Sequence, residues 1–323
     1  MSMHRLVACL VVLFSASAVV SAQDYPQRPL RVVVGFTPGG GTDFAGRIVA
    51  RILSEAWGQS VVVDNRPGAG GNIGTDIVAK AVPDGHTLLL SSPGPVVTNP
   101  FLYAKIPFDP QKDLAPITLL DTSDNVIVVG PSAPVSNMRD FIAWTRSKPG
   151  GVNYASSGIG ATPHLAGELL KVAAKINMVH VAYKSAGPAV IDIIGGRMDM
   201  LVASLPTSLG HIRAGRLKAI AVANIKRRAT ALPDVPTADE SGAPGYEVVT
   251  WWGLFTTAGV PGKIIANLHQ VVVKGLKTPE IAESFVRSGA DPVGSTPAEL
   301  AAFMRSESVK WSRVIKEAGI KMN

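Results

Sequence analysis

The chain has 323 residues, of which 46% are hydrophobic and 17% charged, a balance that excludes an intrinsically disordered protein and leaves room for two domains. The formal net charge is +7, but Lys and Arg are scattered, with Lys226-Arg227-Arg228 as the only cluster and no aromatic residues interleaved. This pattern argues against a nucleic-acid partner, and a mild positive field would help to collect anionic ligands.

Residues 1–22 have the pattern of a secretory signal peptide. Arg5 supplies a positive start, Leu6–Val20 is apolar, and Val20-Ser21-Ala22 is a small-residue cleavage site. The apolar run is too short for a good membrane span. The only cysteine, Cys9, comes before most of this run, which favours cleavage near Ala22 over a lipoprotein box. We therefore expect an exported protein whose mature chain begins at Gln23 and contains no cysteine.

The first mature element is a predicted strand through Val32–Val34, followed by a glycine-rich turn. The turn consists of Thr37, Pro38, Gly39, Gly40 and Gly41, and a helix begins at Thr42 and Asp43. A helix N-terminus offers free N–H groups and a positive dipole end, and glycines let an anion approach them. Two interpretations stay open here: a turn that holds one end of a small carboxylate, or a tight turn without ligand.

The same succession continues along the chain. A strand at Ser60–Asp64 leads to the glycine-rich turn Asn65–Gly74, and a strand at Thr87–Ser91 ends at Ser92. Alternating strands and helices of this size predict an α/β fold with a mostly parallel sheet covered on both faces. Because ligands of such sheets bind at the carboxyl ends of the strands, the loops after all three strands are candidate site loops.

The second half of the chain repeats the succession of strand, small-residue turn and helix. Extended residues Asn125–Val129 follow a predicted domain crossing near Thr122–Asn125, and Met138–Ser147 is a predicted helix. A strand at Val152–Ala155 then precedes a turn whose hydroxyl groups are possible hydrogen-bond donors, and an apolar helix follows at Leu165–Ala174. The candidate residues of this turn are Ser156, Ser157, Gly158, Ala161, Thr162 and His164.

The remaining chain predicts a strand at Met178–Val181, a helix ending at Ile194 and a strand at Met198–Ala203. Extended residues Leu217–Val222 are a possible return to the first domain. A short helix is predicted at Asp239, and three helices at 261–276, 280–288 and 298–318 end the chain. Trp251 and Trp252 are either core residues or pocket wall, with the core favoured because large aromatic residues are mostly buried for packing.

No catalytic or cofactor motif is supported by the sequence. The pattern Gly68-x-Gly70-x-x-x-Gly74 departs from the dinucleotide fingerprint, and no Walker or H-E-x-x-H motif occurs. The histidines are widely spaced, which predicts no metal site. No G-x-S-x-G elbow surrounds Ser156 or Ser157. We expect no cofactor and no enzymatic activity. His164 stays open as a donor to a carboxylate or as a satisfied, partly buried histidine.

Many short segments of the mature chain match one family. The sequence resembles the Bug, or TctC-like, solute receptors of tripartite tricarboxylate transporters over essentially its whole mature length. The matching segments are Tyr25-Pro26-x-Arg28-Pro29, Pro38–Asp43, Asn65–Gly74, Pro83-Asp84-Gly85, Asn99-Pro100-x-Leu102-Tyr103, Tyr154–Gly158, His164–Glu168, Leu232–Thr237 and Gly253–Phe255.

The resemblance implies a type II periplasmic-binding-protein fold, in which two α/β domains are joined by a two-strand hinge. Together with the predicted signal peptide and domain crossings, it leads us to expect a signal peptide (1–22), a discontinuous first domain (23–122 and 226–323) and a second domain (123–225). It also implies that the turns Thr37–Asp43 and Ser156–Thr162 contact a carboxylate buried between the domains. Weaker candidates are Ser92, Ala203 and Ser185, the last in a segment that departs from the family's usual Tyr-Lys-Gly.

The function implied by the resemblance is that of a periplasmic receptor, expected to be a monomer, that delivers a small carboxylate to a membrane permease. A sensory receptor that presents a carboxylate to a membrane signalling protein is the alternative. The ligand itself stays open among aliphatic and aromatic carboxylates and amino acids.

Overall fold

The computed structural model describes residues 25–225, 229, 231–317 and 320. The predicted signal peptide and the basic cluster Lys226-Arg227-Arg228 lie outside these residues. In the described ranges, no helix is both long and apolar enough to cross a membrane.

The described chain alternates between strands and helices, as an α/β fold requires. The strands are β1 (Leu30–Val34), β2 (Val61–Asn65), β3 (Thr87–Ser91), β4 (Leu114–Val129), β5 (Val152–Ser156), β6 (Met178–Ala182), β7 (Met200–Ser204), β8 (Lys218–Val222), β9 (Val249–Thr257) and β10 (Ala290–Pro292). The helices are α1 (Gly41–Trp57), α2 (Asn72–Ala79), α3 (Asn99–Leu102), α4 (Met138–Ser147), α5 (Thr162–Ala174), α6 (Ala186–Ile194), α7 (Leu205–Arg213), α8 (Gly262–Leu276), α9 (Pro279–Ser288) and α10 (Pro297–Glu317).

The strands form two sheets that share β4. The first sheet has the order β2-β1-β3-β9-β4, with β10 on the far side of β4, and the second has the order β6-β5-β7-β4, with β8 also on β4. Along β4 the partner changes from β9 to β7 between Asp124 and Asn125. Each sheet with its helices forms one domain, and β4 and the connection into β9 join the first domain to the second.

The strand directions correct the expectation of a mostly parallel sheet. Parallel pairs are confined to β2-β1-β3 and β6-β5-β7, whereas every pair made by β4 or β9 is antiparallel. The reason is that β4 runs out of the first domain and β9 runs back into it, so the two pair antiparallel between Leu114 and Asp124.

The expected return crossing at Leu217–Val222 is wrong. These residues form β8, which pairs with β4 in the second sheet. Beyond it, Tyr246 is fully buried and donates a hydrogen bond to the carbonyl of Ala166 in α5. The chain enters the first sheet only at Val249, so the expected boundary at residue 225 lies before the actual return.

The helices after β7 also differ from the prediction in two places. Residues near Asp239 form turns and no helix, and the nine-residue helix α7 was not predicted. Helix α7 follows Ser204 directly, and Pro206 stands in its first turn, where its fixed φ and missing N–H are tolerated.

Candidate ligand-binding site

A cavity of about 50 Å³ lies between the two domains, where the loops after β1, β3, β5, β6 and β7 meet. A cavity needs only about 10–15 Å³ to hold one water, so this one has room for a small group. Its walls are made by Phe36, Gly40, Gly41, Thr42, Ser92, Asn125, Ser157, Thr162, Pro163, Ser185, Ala186, Ala203, Ser204, Thr207, Thr250 and Trp252.

Four helices begin at this cavity: α1 from the first domain, and α5, α6 and α7 from the second. None of the four has a side-chain hydrogen bond that caps its first turn. Among the described residues that line the cavity, none is charged. The groups that this site can offer to an anion are therefore backbone N–H groups and the positive ends of helix dipoles.

The first-domain wall is the turn before α1. A Cβ on Gly41 would lie 2.4 Å from Trp252 Cζ2, so the glycine allows the indole to pack directly on the turn. Across the gap, the N–H of Gly41 donates to Thr207 Oγ1 at 3.2 Å. The turn thus contacts the second domain in this closed arrangement.

Asp43 lies behind this wall and does not line the cavity. Its carboxylate accepts hydrogen bonds from the Gly39 N–H at 3.1 Å, Arg47 Nε at 2.9 Å and Asn65 Nδ2 at 3.1 Å. Burial would raise the pKa of Asp43, but these bonds, above all the one from Arg47, hold the pKa below its usual range. Asp43 therefore fixes the shape of the turn.

The second-domain wall includes Ser157 and Thr162, which stand at the two ends of the turn after β5. Thr162 is 5% exposed, and its Oγ1 is buried without a hydrogen-bond partner. Because an unmade hydrogen bond of a buried hydroxyl is costly, this atom is a candidate contact for a bound molecule.

The other predicted residues of this turn form its support. The Oγ of Ser156 lies 2.6 Å from His180 Nε2 and accepts from the Gly158 N–H at 3.1 Å. His164 Nδ1 accepts from the Gly160 N–H at 3.1 Å, and its ring stacks on His180 at 4.1 Å. Burial lowers the pKa of both histidines, in the case of His180 to about 4, so both are neutral near pH 7. Ala161, which is buried, is the N-cap residue of α5.

The loop after β6 closes the site from a third side. Ser185 Oγ makes a short contact with Thr37 Oγ1 of the first domain. Pro38 and Gly39 form the exposed tip of the first turn and lie next to Gly187. A Cβ on Gly187 would be 3.6 Å from the Pro38 carbonyl oxygen. These residues form part of the contact between domains, and of them only Ser185 lines the cavity. Ser92 and Ala203 also line it, at the ends of β3 and β7.

Several lining residues were not predicted. Asn125 and Thr250 lie where β4 and β9 connect the domains, and Thr250 Oγ1 donates to Asn125 Oδ1 at 2.9 Å. Ser204 and Thr207 flank the start of α7, with their hydroxyls 3.0 Å apart. The predicted crossing near Asn125 was a usable signal, since hinge strands must lie at the base of an interdomain cleft. The others unpredicted are Phe36, Pro163 and Ala186.

The two adjacent tryptophans take different roles. Trp251 is fully buried in the core and packs edge-on against Phe303 at 5.3 Å. Trp252 is a cavity wall, and its Nε1 donates to Thr42 Oγ1 at 3.0 Å. Trp251 is therefore a core residue and Trp252 a residue of the cavity wall, because successive residues of a strand point to opposite faces.

Comparison with known proteins agrees with this architecture. A family model described as "Tripartite tricarboxylate transporter family receptor" matches residues 45–320. Protein BugT of Bordetella pertussis is 38% identical over 328 residues, covering 100% of both chains. The structure of R. palustris Rpa4515 with adipate is 34% identical, with a TM-score of 0.90 over 93% of this chain and 100% of that one. MatC of Rhodopseudomonas palustris with bound malate is 30% identical, with a TM-score of 0.86 over 90% and 100%.

The fold and the interdomain cavity define a binding protein of the type II periplasmic class, with two α/β domains joined by a two-strand hinge. The chain belongs to the tripartite tricarboxylate transporter receptor family, also called TctC, which includes the Bug proteins. This family is one of substrate-binding receptors. The predicted resemblance and fold class are thereby confirmed.

Proposed function

We propose that this protein is a periplasmic receptor that captures a small organic carboxylate between its two domains and delivers it to a tripartite tricarboxylate-type permease. The observation that carries the proposal is the cavity itself: four uncapped helix N-termini and the unpartnered hydroxyl of Thr162 converge on a site with no charged lining residue. Relatives that bind adipate and malate support a carboxylate as the ligand.

The ligand is held by backbone and hydroxyl groups. Gly40, Gly41 and Thr42 offer the N-terminus of α1, and Ser157 with Thr162 offers that of α5. Charge-assisted hydrogen bonds contribute about 1.5–3 kcal/mol each. Several of them account for micromolar affinity, roughly −8 kcal/mol, without a cation in the site. Of the remaining predicted residues, Thr37, Pro38 and Gly39 contact the second domain. The others shape the turns from behind this surface; they are Asp43, Ser156, Gly158, Ala161 and His164.

Capture proceeds by domain closure. The open form admits the ligand, both turns engage it, and rotation about the connections at Asn125 and Val248–Val249 brings the domains together and excludes water. The permease then recognises the closed form. The receptor performs no bond-breaking step, and it acts as a monomer.

The proposal is tested by a thermal-shift screen with malate, succinate, adipate and citrate. Adipamide serves as a matched control, because it has the length and shape of adipate without its charge. A ligand at a hundred times its Kd should stabilise the protein by about 2.7 kcal/mol, which is easily detected. Stabilisation by a carboxylate, with none by adipamide, supports the proposal, whereas a flat response to all of them contradicts it.

A cell experiment tests the transport role. In a strain from which the gene is deleted, uptake of the labelled ligand identified by the screen should be lost and should return on complementation. Normal uptake with lost induction of the uptake genes would instead assign the protein to signalling.

A further inference from the structure

A second set of contacts closes the cleft beside the cavity. It joins the segment after β3, in the first domain, to the loop after β5, in the second. Tyr103 donates its hydroxyl hydrogen to the carbonyl of Ile159 at 3.0 Å, and Thr98 Oγ1 donates to the carbonyl of Gly160 at 3.0 Å. Both donors belong to one domain and both acceptors to the other, so these bonds exist only while the domains are together.

The backbones at this contact approach as closely as glycine permits. A Cβ on Gly160 would lie 2.1 Å from Asn99 Oδ1, and a Cβ on Gly70 would lie 2.2 Å from the carbonyl oxygen of Ile159. Both glycines also have positive φ, of 82° and 61°. The Asn99 side chain is itself fixed, since its Nδ2 donates to Asn72 Oδ1 at 2.6 Å. The contact is therefore a closely packed surface that a side chain on either glycine would disrupt.

The loop that accepts these bonds is also a wall of the cavity. Ser157, just before Ile159 and Gly160, and Thr162, just after them, both line the cavity. The same loop is held from within the second domain by the bond from the Gly160 N–H to His164 Nδ1. A ligand that orders this loop would therefore also position the two carbonyls for the first domain.

We propose that Tyr103 and Thr98 are positioning residues that form an interdomain latch with the carbonyls of Ile159 and Gly160. The latch rests on the proposed function, because it acts on a receptor that closes over its ligand. It touches no ligand. It stabilises the closed state through two backbone carbonyls of a loop that also lines the cavity, and so it sets how long the ligand stays bound.

The latch has a kinetic signature. The ligand enters the open form, before the domains close, so loss of the latch should raise koff and leave kon within about twofold. One hydrogen bond of ordinary strength corresponds to roughly a three- to tenfold change in an equilibrium constant. Tyr103→Phe and Thr98→Val should each raise Kd and koff by about this factor, and the double variant by about tenfold or more.

Matched controls separate the latch from the loss of any hydroxyl. Tyr25→Phe removes a bond from a tyrosine hydroxyl to the carbonyl of Gly85, and Thr75→Val removes one from a threonine hydroxyl to the carbonyl of Gly71. Both bonds lie within the first domain. With adipate and malate as probes, the controls should change the melting temperature but not koff.

A distance measurement without ligand tests the latch independently of the proposed function. Spin labels are attached at Val82→Cys in the first domain and Val172→Cys in the second, both well exposed, in a chain that begins at Gln23 and so contains no other cysteine. The latch variants should have a smaller short-distance population than the unaltered chain, with and without adipate.

The outcomes are distinct. If no carboxylate binds to the unaltered chain, the proposed function fails, and the ligand-free distance distributions alone judge the latch. Equal distributions in the unaltered chain and the double variant overturn it. If a carboxylate binds and the double variant keeps the original koff, the latch is overturned while the proposed function stands.

Discussion

The indole Nε1 of Trp252 donates a hydrogen bond to Thr42 Oγ1 across 3.0 Å. This bond ties β9, which returns the chain to the first domain, to the first turn of α1, where the proposed ligand site begins. Because the indole also packs on Gly41, the wall of the cavity and the turn that offers backbone N–H groups form one unit. The orientation of the turn thus depends on a residue 210 positions away along the chain.

Trp252→Phe tests this unit. The variant loses the donor to Thr42 and part of the wall, so we expect a roughly three- to tenfold higher Kd for the carboxylate found in the screen. Calorimetric titration measures it. Trp251→Phe is the matched control: it should lower the free energy of unfolding by about 1–3 kcal/mol through lost core packing, with Kd unchanged. Equal effects on Kd would contradict a specific role of Trp252.

Thr162→Val tests the buried hydroxyl that has no partner. The side chains have nearly the same shape, and removing an unsatisfied buried hydroxyl should leave the ligand-free protein as stable as before or up to about 1 kcal/mol more stable. The affinity for the carboxylate should fall by about tenfold. Thermal unfolding and calorimetric titration give the two values.

The control for this variant is Thr145→Val in α4. Its hydroxyl donates to the carbonyl of Phe141 at 2.8 Å, far from the cleft, so the change should cost about 1 kcal/mol of stability and leave affinity unchanged. A Thr162→Val protein that is less stable but binds normally would show that the hydroxyl has a structural role.

The buried imidazole of His180 makes the stability of the protein depend on pH. Burial, together with the charge of His164, lowers its pKa to about 4, whereas in the unfolded chain the pKa is about 6.5. Between these values the unfolded state binds more protons, so the stability that is present above pH 6.5 is lost as pH falls toward 4. From pH 7 to pH 5 this loss amounts to up to about 2 kcal/mol.

Denaturant unfolding at pH 7 and pH 5 measures the effect. His180→Gln cannot titrate and should lose less stability between the two pH values than the unaltered chain. A variant that loses as much would show that other groups carry the acid sensitivity.

The buried carboxyl group of Asp121 makes stability depend on pH in the opposite direction. It is fully buried in β4, and neither carboxylate oxygen has a hydrogen-bond partner. Burial, and then the charge of Asp291, raises its pKa well above the usual range. The native state therefore binds more protons than the unfolded state, so stability falls as pH rises above about 4. Asp121→Asn should therefore stabilise the protein more at pH 7 than at pH 4, as denaturant unfolding at the two pH values would measure.

The control for Asp121→Asn is Asp43→Asn, for which the dependence of stability on pH has the opposite sign. The pKa of Asp43 is held low by its hydrogen bonds, so its contribution is present at neutral pH and lost in acid. Asp43→Asn should therefore cost more stability at pH 7 than at pH 4. The same sign for both variants would contradict this assignment of the two carboxylates.

Local patterns were enough to predict most of the elements. The strand Thr87–Ser91 and the helix Met138–Ser147 have the predicted bounds, because each is bordered by turn-forming residues. The strand is a short continuous apolar run, whereas the helix has apolar residues at helical spacing. Helix α7 was missed although Leu205, Leu209 and Ile212 recur at helical spacing, because the segment is short and contains Pro206 and Gly210.

The site was predicted less completely than the fold. Both predicted turns lie at the cavity, yet within each turn the sequence did not separate residues that line it from residues that support it. Gly41 and Thr162 line it, whereas Asp43 and His164 are turned to hydrogen-bond partners behind the wall. These orientations depend on Asn65 and His180, which belong to other strands.

The sequence by itself determined the family, the fold class and the two glycine- and serine-rich turns, because these depend on local backbone preferences and on short motifs. Only the tertiary structure placed Asn125, Thr250 and Trp252 at the cavity and Tyr103 against Ile159. Those contacts depend on the register of β4 against β9 and on the approach of two domains, and both are set by packing between residues distant in the chain.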